Sequence, residues 1–174
     1  RDAQESRGLG DVYKRQEQLL LSIEIISAHA EAFEDDSIPR TNILEVLISL
    51  MKLPSKAKLS KECLLSMCQH IAVSLTKKDL KILLDNIITP VLFVRTAILE
   101  GIDSEFDLVG EIDYSNELLI AAHDNDTNSA EIALTIWEDN NLKVVPDAPS
   151  QLLKLAGNPD SGLRLSIAKA IVFS

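Results

Sequence analysis

The sequence predicts an all-α fold, a solenoid of short paired helices. Three observations carry that prediction. Leucine and isoleucine recur at three- and four-residue intervals through most of the chain, as one buried face of a helix requires. Proline, asparagine and aspartate cut these stripes into short lengths, so no helix runs far before the chain turns. No stretch alternates apolar and polar residues as a half-buried strand would, and only four glycines fall between residues 17 and 174.

The elements follow in order. Leu19, Ile23, Ile26 and Ala30 share one helical face. After the acidic turn EDDS, Pro39 and Arg40 open a second helix with Ile43, Leu47, Leu50 and Met51 on its stripe, and Pro54 closes it. Leu64, Cys68, Ile71 and Leu75 mark a third. Thr76 caps a fourth, whose stripe is Leu80, Leu83, Leu84, Ile87 and Ile88, and Pro90 ends it. Further helices are expected over 91–102, 115–123, 128–140, 149–156 and 160–172. Asn128 and Glu131 are spaced as a capping box, and Asn158-Pro159-Asp160-Ser161 reads as a turn and cap. The expectation is some nine helices, with one longer acidic connection at 103–114.

A faint repeat runs through this pattern. Lys61, Arg95, Glu131 and Arg164 stand near the starts of successive helices, separated by 34, 36 and 33 residues. The Trp/Leu-Gly and Thr-Pro-Leu-His signatures of tetratricopeptide and ankyrin arrays are missing. A proline turn followed by Val94-Arg95-Thr96-Ala97 instead resembles the second helix of a HEAT repeat, within the armadillo-type class of folds. That resemblance implies that Arg95 and Arg164 are rungs of a polar ladder along the stack. Lys61 matches in part, Glu131 does not, and the expected ladder is interrupted there. Trp137 shares a stripe with Ala130, Ala133 and Leu134, which predicts a core position.

The first sixteen residues differ in style. SRGLGDVYKRQ, residues 6–16, resembles the translation of a transposase-type sequencing adapter, residue for residue. Residues 1–16 are therefore expected to be a non-native tail that packs against nothing, disordered or arbitrarily helical. Glu17 is then the first genuine residue, where a library fragment of a longer solenoid was cut. Residues 17–174 are expected to form four to five helix pairs. Exposed apolar faces at both ends of such a piece predict marginal stability or self-association.

Of the 174 residues, 17 are basic and 27 acidic. Four basic and three acidic residues lie in the tail, so residues 17–174 carry a net charge of −11. That balance argues against a direct nucleic-acid site, because phosphates must be met by Lys and Arg. No apolar run is long enough to span a bilayer. Cys63 and Cys68 lie five residues apart, about 140° around a helix, which forbids a bridge between them. Asp124, Asp126 and Asn128 start like a calcium loop, but Ser129 stands where glycine is required and Thr135 where glutamate is. His29, His70 and His123 lie far apart, and no nucleophile elbow, Walker loop or carboxylate pair occurs. No catalytic residue, cofactor site or metal site is expected.

DYSNELLIAAHDNDTNSAEIALTIWEDNN and QLLKLAGNPDSGLRLSIAKAI, with PVLFVRTAILEGID and EFDL, carry a more specific likeness. Together they resemble the fungal branch of the ribosome-associated HEAT-repeat activators of general amino-acid control. The resemblance covers essentially all of 17–174. It implies a cytoplasmic, non-catalytic scaffold segment of a ribosome-binding regulator. That regulator works with an ATP-binding-cassette co-activator to switch on the kinase of initiation factor two alpha, under amino-acid starvation or ribosome stalling. The family's kinase-binding segment is not represented. The alternatives are a HEAT array of another kind, such as a transport receptor or microtubule-binding array, or a helical accessory domain of an enzyme.

Overall fold

The computed structural model describes residues 2–174, with side-chain surroundings from residue 8 onward. Among them are nine α-helices, two short 3-10 turns and no strand. The helices are α1 (Asp2–Ala28), α2 (Arg40–Met51), α3 (Ala57–Ile71), α4 (Lys77–Asp85), α5 (Leu92–Glu105), α6 (Asn116–Ala121), α7 (Thr127–Asp139), α8 (Ala148–Leu153) and α9 (Ser161–Phe173). The 3-10 turns, Ala30–Glu34 and Ala72–Ser74, follow α1 and α3.

The helices lie in two rows. One row runs α2, α4, α6, α8, each touching the next. The other runs α1, α3, α5, α7. The tight intrapair contacts are α2 with α3, α6 with α7 and α8 with α9. A row-to-row stack with only neighbour contacts is the solenoid expected from the repeat.

Local chemistry sets the boundaries. Thr76 accepts from the Asp79 backbone NH while Asp79 accepts from the Thr76 NH, a complete capping box at the start of α4. Ser115, Asp126 and Asp160 each cap their helix through a side-chain oxygen. The expected box at Asn128 and Glu131 is displaced. Asp126 takes the cap, because its carboxylate reaches the Ser129 NH at 2.9 Å and starts the helix one residue earlier. Gly110, at φ +83°, turns the acidic connection after α5 where a side chain would be strained.

The core follows the predicted stripes at Leu47, Met51, Leu64, Cys68, Ile71, Leu80, Leu83, Leu84 and Ile87. Ile43, Leu50 and Leu75 are only partly buried, while Leu44, Ile48 and Met67, outside those stripes, are buried as well. Leu44, Leu47, Leu64, Met67, Ile71, Leu83, Ile98 and Leu118 are buried in one continuous cluster reaching from Ile23 to Leu142. A second, smaller cluster gathers Leu119 and Ile120 of α6 with Leu152, Leu163, Ile167 and Ala170. Burying each such Leu or Ile contributes about 1.5–3 kcal/mol. Gly101 lets α5 approach α3, for a Cβ there would stand 3.2 Å from Cys68 Sγ.

Where a disordered tail was one expectation, α1 continues through residues 8–16 as helix. Every residue from Gly8 to Gln18 is exposed, and Ile23 is the first buried residue of α1. Arg1, and the side chains as far as Arg7, lie outside the described residues.

Candidate functional site

The groups that could carry function sit at the seams between helix pairs. Arg95, in the first turn of α5, donates from Nε to Asp124 Oδ2 at 2.7 Å and from Nη2 to Asp124 Oδ1 at 3.1 Å. Its Nη1 reaches back to the Thr89 carbonyl at 3.0 Å. Asp124 precedes α7, so this fork ties the second helix pair to the third. Asp124 Oδ1 also accepts from the Asp126 NH, which fixes the turn. Two of the three residues that opened like a calcium loop, Asp124 and Asp126, thus serve a guanidinium clamp and a helix cap, and Asn128 is exposed. Hydrogen bonds from Ser129 hold the Asp126 carboxyl below its ordinary pKa.

A second clamp lies one seam earlier, and the sequence did not single it out. Arg40, at the first position of α2, is almost wholly buried and pairs with buried Asp79 of α4. Nε and Nη2 meet the two carboxylate oxygens at 3.1 and 2.7 Å. Nη1 donates to the Phe33 carbonyl and to Ser74 Oγ, and Nη2 also to the Ser74 carbonyl. Burial alone would raise the Asp79 pKa. Hydrogen bonds from Arg40 and Thr76 outweigh that, and the carboxyl ends below its ordinary value.

The other expected ladder residues are placed differently. Arg164 is exposed, and its Nη1 donates to the carbonyls of Asn158 and Pro159, in the turn before its own helix. Lys61 bridges to Glu100 at 2.8 Å and stands 5.5 Å from the Phe93 ring centre. The buried positions also re-register the repeat. Val94, Ser129 and Leu163 are equivalent buried residues, as are Ile98, Ala133 and Ile167. The residue equivalent to Arg95 and Arg164 in α7 is therefore Ala130, not Glu131. Trp137 is half-buried and packs against both apolar clusters.

Both cysteines are free and buried, and burial pushes the Cys68 thiol up to about 12. His123 stacks on Phe173 at 4.9 Å, and burial, with Lys169 nearby, lowers its pKa. His70 pairs with Glu34 at 3.0 Å, and the three histidines are not brought together. Among the described residues no cluster of His, Cys, Asp and Glu could hold a metal, and no helix is long and apolar enough to cross a membrane. What the surface offers is grooves. One, of about 510 Å³, lies between α4 and α6, floored by Leu80 and Leu84 and edged by Lys77, Asp85, Asp113 and Glu117.

Two family models match the chain. The HEAT repeats of the stalled ribosome sensor GCN1 match residues 105–173. The HEAT repeats of fungal GCN1-like proteins match residues 3–52, a span that starts within the adapter-like tail. The chain is 48% identical over 160 residues to the eIF-2-alpha kinase activator GCN1 of Saccharomyces cerevisiae. That alignment takes in 92% of the chain and 6% of the yeast protein. No solved structure matches.

Proposed function

The chain is a GCN1-type HEAT-repeat segment, and from that premise we propose that it serves as a non-catalytic scaffold in a ribosome-associated regulator. In this reading the whole protein activates the initiation factor two alpha kinase when amino acids are scarce or ribosomes stall. The ribosome, an ATP-binding-cassette co-activator and the kinase are its partners, in the cytoplasm. The observation that carries the reading is the 48% identity to a kinase activator over nearly the whole chain. The geometry supports it: the polar groups at the seams are used to hold helices in register, which suits a spacer better than an enzyme.

Within that scaffold we assign Arg95 as a ladder rung closed by Asp124, Arg164 as a rung position, and Trp137 as a packing residue between clusters. Residues 1–16 are proposed to be non-native, on the strength of the adapter-like string and the exposure of residues 8–16. Direct sequencing of the intact gene tests that point.

A segment swap tests the scaffold. Residues 17–174 replace the matching stretch of the yeast protein, and phosphorylation of initiation factor two alpha is followed during starvation. The swap is expected to preserve the response, whereas deletion of the stretch abolishes it. A folded, normally expressed swap that fails to respond would overturn the proposal.

A further inference from the structure

The seams between helix pairs are not alike. At the first, Arg40 grips Asp79, and at the second, Arg95 grips Asp124. At the third, between α7 and α9, the register of buried residues puts Ala130 where Arg95 stands. The turn before α9 puts Asn158 where Asp124 stands, because both accept from the backbone NH two residues on, at 2.9 Å in each case. Both halves of the Arg95-type clamp are therefore missing together. In the other row a neutral Asn116–Gln151 hydrogen bond joins α6 to α8, where a buried Arg40–Asp79 ion pair joins α2 to α4.

The apolar packing breaks at the same place. The large cluster stops at the third pair, and the fourth pair buries its stripe in the separate small cluster. α6 serves both, giving Leu118 and Ala121 to the first and Leu119 and Ile120 to the second. α5 packs along both α3 and α7, whereas α9 rests chiefly on α8 and α6. A groove of about 310 Å³ opens between the turn at 124–126 and the start of α9.

From the missing clamp, the split core and the open groove we infer that the third seam is a flexure joint. The fourth helix pair swings there as a rigid unit about α6, while the first three pairs move as one body. A solenoid with such a joint adjusts its curve to whatever it grips, at little cost in packing.

Pulsed electron resonance on nitroxide pairs tests it in the full chain. One pair, at the exposed positions Asp103 and Glu138, spans the second seam. The other, at exposed Thr135 and Lys169, spans the third. The buried native thiols stay unlabelled. The third-seam distance distribution is expected to be the broader. The double variant Ala130→Arg, Asn158→Asp supplies the missing clamp and is expected to remove the excess width; Asn158→Asp alone is not. Equal widths in the parent chain would overturn the inference, and so would a folded double variant that stays broad. Breadth accompanied by rapid amide exchange throughout α9 would mean fraying, and would overturn it as well.

Discussion

At the residue scale the two guanidinium clamps are the points where removing a single side chain costs most. Asp79 is buried and holds Arg40 by two charge-assisted bonds, so its loss leaves a buried cation uncompensated. Asp79→Ala is expected to destabilise the fold by about 3–5 kcal/mol, read as a fall in the urea midpoint. The pH dependence has a definite sign. The folded Asp79 pKa lies below the unfolded value of about 3.9, so the pair's contribution is complete above that value. It is lost as pH falls through the lower, folded pKa. Asp79→Asn should therefore show a shallower loss of stability on acidification than the parent chain. Arg95 was legible in the sequence because a known motif surrounds it. Arg40 was not, because its partner lies 39 residues away and nothing local names it.

At the scale of elements, the apolar stripes were legible as helices, though on α2 the buried face includes Leu44 and Ile48 while Ile43 and Leu50 are only partly buried. Leu47, Leu64, Leu83, Leu84 and Ile87 all lie in the core, because a helix buries one face and the spacing displays that face. Caps were legible where a single residue decides them, as at Thr76. The cap expected at Asn128 falls instead two residues earlier in the chain, at Asp126, whose carboxylate takes the Ser129 amide. Asp126→Ala is expected to cost about 1 kcal/mol, measured as a lowered thermal midpoint. The α3–α5 contact depends on Gly101. Gly101→Leu must displace Cys68 and Leu65, and is expected to destabilise by about 1–3 kcal/mol even though leucine is the better helix former.

For the whole molecule, stability is a sum of neighbour terms, and the terms are unequal. The fourth pair shares neither a clamp nor the large core with the first three. Unfolding is therefore expected to depart from a single transition. Trp137, at the junction of the two clusters, should report loss of the fourth pair by fluorescence at lower urea than far-ultraviolet dichroism reports the bulk. Coincident curves would rule out this ordering. The stacking of pairs was readable from the period, but the unequal seams were not. They depend on which residue of a turn faces which residue of the next helix, and a one-residue slip from Ala130 to Glu131 hides the pattern.

The turn before α9 also constrains how a lineage can lose a rung. Asn158 keeps the hydrogen bond that Asp124 makes to its own turn while shedding the negative charge. An ancestor that exchanged aspartate for asparagine first would have kept a well-formed turn. An arginine left behind would still reach the carbonyls of the turn before its own helix, as Arg95 reaches the Thr89 carbonyl. Losing the arginine first would strand a half-buried carboxylate without a counterion. The cheaper road thus runs through the acid.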